Sequence, residues 1–218
     1  MKRVYIVVEG QTEQEFVNSV ISPYLRSFGI LSVTPVLVRT SRTGRGGMVS
    51  YSHLANTIKP LLMSEKSDYV VTTFIDFFRL PHDMPQYEDS MKKPNKAAQV
   101  KSLEEAINEA INDRRFFSYI QLHEFEALLF SSNKGFEYYF SDEHAEATAA
   151  VISSYNNPED INSSPEGAPS KRLLAIKPDY NKVLEGNLIA LEIGIQSILE
   201  KCPRFAGWIK DIIEKCEE

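Results

Sequence analysis

The sequence predicts an α/β fold with a mainly parallel central sheet and a helical extension at its C-terminal end. Three observations predict it. Val4-Tyr5-Ile6-Val7-Val8 and Tyr69-Val70-Val71-Thr72-Thr73-Phe74-Ile75 are β-rich runs without the strict alternation of a half-solvated strand, as expected of strands covered on both faces. Helical periods lie between such runs, the order that builds a parallel sheet. After Gly135 the strand signal fades, and the rest reads as helices and loops. The expected division is a core over 1–131 and a helical extension over 132–218, packed together as one structural unit.

The chain has 218 residues, enough for one α/β domain with an appendage. A formal charge of −6 argues against a generally basic nucleic-acid binder but leaves room for a local basic patch. No apolar run nears the roughly eighteen residues of a membrane span. Met1-Lys2-Arg3 before a short apolar run mimics a leader, but the run breaks into acids and reads as the first strand. The two cysteines, Cys202 and Cys216, form no disulfide framework, so the expected location is a reducing cytoplasm.

In chain order, the first strand runs into Glu9-Gly10-Gln11-Thr12-Glu13. Thr12 with Glu15 spells a capping box, so a helix is expected from there. A strand feeding a tight glycine turn into a helix is where open α/β sheets place their chemistry. A phosphate cradle would avoid acids, whereas Glu9 and Glu13 suit a divalent cation, which takes carboxylate oxygens. The plainer explanation of Glu13 is the helix dipole, which favours an acid in the first turn.

Pro23 interrupts the following helical period and should kink or split that helix, and Gly29 should stop it. Val33 to Val38 reads as a strand, with Pro35 marking an edge. Arg39-Thr40-Ser41-Arg42-Thr43-Gly44-Arg45-Gly46-Gly47 is the one basic segment, with no acid in it. Arg39, Arg42 and Arg45 are candidate phosphate ligands, the alternative being an ordinary solvated loop. Residues 50–63 should form a helix. The strand over 69–75 again ends in an acid, Asp76, so neighbouring strands would set Glu9 beside Asp76.

Residues 77–95 read as a Pro-rich loop without a period, 97–112 as an amphipathic helix, and 116–122 as a further strand. That strand runs into His123-Glu124-Phe125-Glu126. Glu126 is a third candidate metal ligand beside Glu9 and Asp76. His123 is a base, a ligand or a hydrogen-bonded core residue. Further on, 143–155, a short stretch from Ser170, and the segment from Pro203 should be helical, and 188–199 is apolar on more than one face and should be buried. Lys171 and Arg172, with Lys177 and Lys182 beyond them, offer a second basic surface, although such helices are commonly just solvated.

Two resemblances follow from these stretches. The order strand-Glu-Gly, helix, strand, helix, strand-Asp, helix, strand over about 130 residues resembles the Toprim domain of topoisomerases and primases. That implies a three-layer fold in which Glu9 and Asp76 hold Mg²⁺ or Mn²⁺ for phosphodiester chemistry, with Glu13 matching a further Glu of the OLD-type nucleases. The sequence departs at Phe78, where the family has its second Asp. The whole chain is similar to a bacterial family called domain of unknown function 4276, through Val8 to Glu13, Phe74 to Phe78, His123 to Phe130 and Pro169 to Arg172. Such proteins often stand beside ATPases in phage defence, which implies an ATPase partner. The leading expectation is therefore metal-dependent hydrolysis of DNA or RNA. Glu9, Glu13 and His123 would be catalytic, Glu9, Asp76 and Glu126 would hold the metal, and Arg39, Arg42, Arg45, Lys171 and Arg172 would hold phosphates. The alternatives are a non-catalytic partner or sensor on a degenerate scaffold, and phosphotransfer on a small nucleotide.

Overall fold

In a computed structural model of the chain, described for residues 2–40, 47–63, 68–162 and 167–217, every strand pairing is parallel. Strand β1 (Arg3–Val8) leads through α1 (Gln11–Phe16), a π-turn (Val17–Ile21) and α2 (Ser22–Arg26) to β2 (Ser32–Leu37). Then come α3 (Tyr51–Leu62), β3 (Tyr69–Asp76), α4 (Tyr87–Met91) and α5 (Lys96–Ile111). Two short strands, β4 (Phe116–Phe117) and β5 (Ile120–Gln121), lead to a 3₁₀ segment (Phe125–Ser131). The remainder is helical: α6 (Lys134–Tyr139), α7 (Asp142–Ser153), α8 (Pro169–Ile176), α9 (Glu185–Ile193), α10 (Ile195–Lys201) and α11 (Pro203–Glu217). Among the described residues no helix is long and apolar enough to cross a membrane.

The strand order is β2-β1-β3-β4, with β5 also paired to β3. Pro35, which has no N–H to donate, sits on the edge strand. Two cores lie on opposite faces of the sheet. One joins Val4, Ile6 and Val8 of β1 to Phe16, Val17 and Leu25 and to Ile189, Phe205 and Trp208 of the C-terminal helices. The other joins Val71 and Ile75 to Leu54 and Ile58 of α3 and to Val100, Leu103 and Ile107 of α5. The connection leaving β1 therefore covers one face and the one leaving β3 the other. A crevice opens between the C-terminal ends of two strands wherever their connections diverge in this way.

Local chemistry explains the departures from the sequence expectation. Thr12 caps nothing: Gly10 is the N-cap, without a side-chain hydrogen bond, and Thr12 is buried inside α1. Pro23 lies in the first turn of α2, where a helix tolerates a missing amide, and a π-turn precedes it. The segment over 77–95 contains α4. The strand expected over 116–122 is broken at Ser118 and Tyr119, whose backbone is satisfied by side chains. Tyr119 N donates to the Thr73 hydroxyl (2.8 Å), which itself donates to Tyr119 O (2.7 Å). Ser118 N donates to Asn108 Oδ1 (2.7 Å). Elsewhere Ser50 and Asn95 cap α3 and α5 by accepting from Ser52 N and Ala98 N.

The last helix is fixed to the sheet by polar as well as aromatic contacts. Buried Glu159 accepts from the backbone N–H groups of Arg204 (2.8 Å) and Phe205 (3.1 Å) at the start of α11, where a negative charge also meets the helix dipole favourably. Trp208 stacks on Phe74 and Tyr119, with centroids 5.4 and 4.6 Å away, and donates to Thr72 Oγ1 (2.9 Å). Thr73 is fully buried, so Thr73→Val keeps the shape and strands both polar groups of Tyr119. We expect a loss of about 1–3 kcal/mol in urea unfolding. A loss within about 0.5 kcal/mol, the ordinary range for a neutral surface change, would show that the hydroxyl is not what bridges the break.

Candidate metal centre

The crevice between β1 and β3 is lined with acids. The register pairs Val8 with Phe74, so Glu9 leaves β1 beside the end of β3, where Asp76 is the last strand residue. Glu13 lies one turn into α1, and its carboxylate packs against Gly10, where an added Cβ would stand 2.9 Å from Glu13 Oε2. A side chain there would push the carboxylate away, which is the local reason for glycine. Asp76 is anchored by one oxygen, since Phe125 N donates to its Oδ1 (3.0 Å). That bond draws the 3₁₀ segment over the end of β3 and sets the fully buried Glu126 beneath the crevice.

One cation sits among these acids. Lys182 Nζ lies 3.2 Å from Glu126 Oε2, 3.5 Å from Glu13 Oε1 and 3.7 Å from Asp76 Oδ2. Glu126 Oε1 accepts no hydrogen bond, whereas Oε2 faces the Lys182 ammonium. Lys182 stands in the turn before α9. Asn187 of that helix donates to Thr12 O (3.2 Å) and Val183 O (3.0 Å), which ties the turn to α1.

The electrostatics follow from burial and crowding. Burial, then the neighbouring Glu13, pushes the Glu9 carboxyl up to about 7, against the opposing pull of Lys182 and of the Met48 amide. Asp76 is raised well above the usual range by burial and by Glu13, Glu126 and Glu9, with Lys182 opposing. Glu126 is raised by burial and by Glu124, again with Lys182 opposing. For Lys182 burial lowers the pKa, but Asp76, Glu126 and Glu13 outweigh it and hold the ammonium charged.

The crevice is a cleft of about 410 Å³ lined by Glu9, Glu13, Asp76 and Glu124 together with Arg79, Lys171 and Lys182. Glu124 is tied to α8, accepting from Ser170 N and Ser170 Oγ (3.0 Å each). The structure thus brings Glu9, Glu13, Asp76, Glu126 and Lys171 to one place. His123, in the left-handed region at φ 70°, lines an adjoining cavity instead, and burial and Lys96 pull its pKa down to about 4. Arg172 donates to Gly167 O (2.8 Å) and Tyr155 Oη (3.0 Å) and does not line the cleft. Arg39 is exposed, and its N–H donates to Thr57 Oγ1 (2.9 Å). Arg42 and Arg45 lie outside the described residues. The basic surface proposed around Lys177 and Lys182 hid the contribution of Lys182, and Arg79 gave no sequence signal at all.

As it stands, no group of three or more His, Cys, Asp or Glu among the described residues is set to hold a metal ion. The ammonium of Lys182 occupies the middle of the cluster. The donor set nevertheless suits a hard divalent cation, being all carboxylate, and one of its oxygens, Glu126 Oε1, is buried without a hydrogen bond.

This geometry sets a pH dependence of stability. The folded state binds the Glu9 proton more tightly than the unfolded chain does, so the contribution is full below the ordinary value of 4.5 and is lost as pH rises through about 7. Asp76 and Glu126 shift in the same direction. In cation-free buffer, wild-type stability should fall between about pH 5 and pH 8, with up to about 3 kcal/mol of that fall due to Glu9. Glu9→Gln should flatten the decline and be the more stable protein at the alkaline end. Parallel curves for the two proteins in chemical denaturation would refute this.

Comparison with known proteins comes to the following. No curated protein matches the chain. Among solved structures it is similar to the C-terminal region of the Xanthomonas campestris pv. campestris OLD protein, at 14% identity and a TM-score of 0.45 over 99% of this chain and 95% of that one. It is also similar to the C-terminal region of the Burkholderia pseudomallei OLD protein, at 17% identity and a TM-score of 0.44 over 98% of this chain and 99% of that one. A sequence model of one family matches residues 8–213, and the chain belongs to that family, described as Domain of unknown function (DUF4276).

Proposed function

We propose that the chain hydrolyses nucleic-acid phosphodiesters with the help of Mg²⁺ or Mn²⁺ bound at the cleft. One observation carries the reading: Glu13, Asp76 and Glu126 meet around one cation, with Glu9 beside them, at the switch point of a parallel sheet, and the buried Oε1 of Glu126 accepts no hydrogen bond. The resemblance of the first 130 residues to Toprim domains points the same way.

Glu9, Asp76 and Glu126 would hold the cation, with Glu13 assisting. When bound, the cation supplies Lewis acidity at a phosphoryl oxygen and a hydroxide at neutral pH. The protein supplies the rest. Lys182, Lys171 and Arg79 put positive charge on the cleft wall, where a phosphate can be held against the surrounding acids. Arg39, Arg42 and Arg45 follow β2 in sequence and would extend that contact along the backbone of the substrate.

A second reading has its own observation. Lys182 already ion-pairs with three of the acids, and Phe78 stands where Toprim domains have a second Asp. On that basis the cluster would be a permanent internal ion network in a non-catalytic partner or sensor protein, for instance of an ATPase.

The two readings separate in one set of assays on the full chain. Single- and double-stranded DNA and RNA are incubated with Mg²⁺, Mn²⁺ or chelator. Hydrolysis predicts cleavage that the chelator abolishes and that Glu9→Gln and Asp76→Asn each lower by at least about 100-fold with the fold intact. Lys182→Gln should then tighten cation binding while cleavage falls. The sensor reading predicts no cleavage from the wild type with any of the four substrates, and a Lys182→Gln protein that is merely less stable near neutral pH.

A further inference from the structure

The turn after Asp76 is a wall shared by two cavities. On one side is the carboxylate cleft, and on the other is a cavity of about 450 Å³. Phe78 and Arg79 line both. The wall is fixed, because the pairing of β3 with β5 continues past the strand ends: Phe77 N donates to Gln121 O (2.9 Å) and Phe78 N to His123 O (2.8 Å). Leu80 and Met84 beneath it are buried.

The second cavity differs in chemistry from the first. Its faces are aromatic: Phe77, Phe78 and Tyr87, with His82 stacked on Tyr87 at a centroid distance of 4.8 Å. Its charged groups are positive: Arg79 lies over the Phe78 ring at 5.3 Å and Lys96 over the Phe77 ring at 5.5 Å. Among the described residues no carboxylate lines it. His123 closes one side, and a neutral imidazole offers one donor and one acceptor. The size falls within the range of small-molecule sites. The ligand that fits is flat, has apolar faces and a polar edge, and carries negative charge at the end nearest the carboxylate cleft.

We propose that this cavity is a subsite for an unstacked nucleobase next to the phosphodiester held in the carboxylate cleft, so that the chain takes single-stranded nucleic acid. The inference rests on the hydrolysis reading for the identity of the neighbouring group. A base inside a duplex is stacked on both faces and can enter such a cavity only if it is flipped out, whereas a single strand presents it without that cost. Stacking on aromatic side chains is tolerant of sequence, so the subsite selects strandedness before it selects a base. It also gives Phe78 a role: at the position where Toprim domains have a second carboxylate, this chain places an aromatic face.

The test is a fluorescence-anisotropy titration of the full chain with short oligothymidylate and oligouridylate, with the same strands in duplex, and with a strand of equal length whose residues are all abasic. Hydrolysis of bis(p-nitrophenyl) phosphate with Mn²⁺ is measured in parallel. Loss of the bases should weaken single-strand binding by roughly 10- to 100-fold, and the duplex should bind correspondingly worse. Phe78→Ala should weaken binding of the intact strand and leave the abasic strand unchanged, and Tyr87→Leu should act likewise if the first variant does not fold. Equal binding of intact and abasic strands, equal binding of duplex and single strand, or an equal effect of the variants on both strands would overturn the proposal. If the small diester is hydrolysed while base loss has no effect, only the subsite falls. If base-dependent binding persists while the diester survives, only the hydrolysis reading falls.

Discussion

Three carboxylates sharing one ammonium, with Glu9 beside them, at the C-terminal edge of the sheet is the arrangement the surrounding structure is organised to hold. Carboxylates crowded together away from water raise one another's pKa and cost stability unless a cation lies among them. Lys182 supplies that cation through ion pairs with Glu13, Asp76 and Glu126. The neighbouring contacts all hold the cluster closed. Gly10 leaves room for Glu13, the Phe125 amide fixes Asp76, Ser170 fixes Glu124, and Asn187 ties the lysine turn to α1. A cluster that merely cost stability would not need so many supports, and the cleft above it would not need a basic wall.

The fold delivers these residues through topology. The connection leaving β1 packs on one face of the sheet and that leaving β3 on the other, so the two strand ends are left uncovered by either. The helices after residue 132 take part in this. They share a core with β1 and β3 through Ile189, Phe205 and Trp208, and they return Lys182 to the cleft. The helical extension therefore contributes the cation around which the sheet's acids are gathered.

Much of this was legible in the sequence. Apolar runs ending in Glu9 and Asp76 announced two buried parallel strands. Contacts set by tertiary placement were hidden. The break at Ser118 and Tyr119 is made good by Thr73, 46 positions earlier, and by Asn108 on the preceding helix, so a β-rich run gave no sign of it. The pairing of Thr12 with Glu15 had the spelling of a capping box, but burial of Thr12 put the cap at Gly10. Lys182 lies 106 positions after Asp76 in an ordinary-looking basic stretch, and nothing local marks it as the partner of three acids. Arg79, at φ 63° in a loop without period, is visible only as part of the wall.

The central claim is that the acids form a cation site from which Lys182 can be displaced. Diffraction from crystals soaked in Mn²⁺, collected at a wavelength where manganese scatters anomalously, tests it most directly. The expected result is one anomalous peak in the crevice, within ligand distance of oxygens of Glu9, Asp76 and Glu126, with the Lys182 ammonium moved off the cluster towards the cleft. A crevice with no anomalous peak at saturating Mn²⁺, with Lys182 still against Glu126, would contradict it.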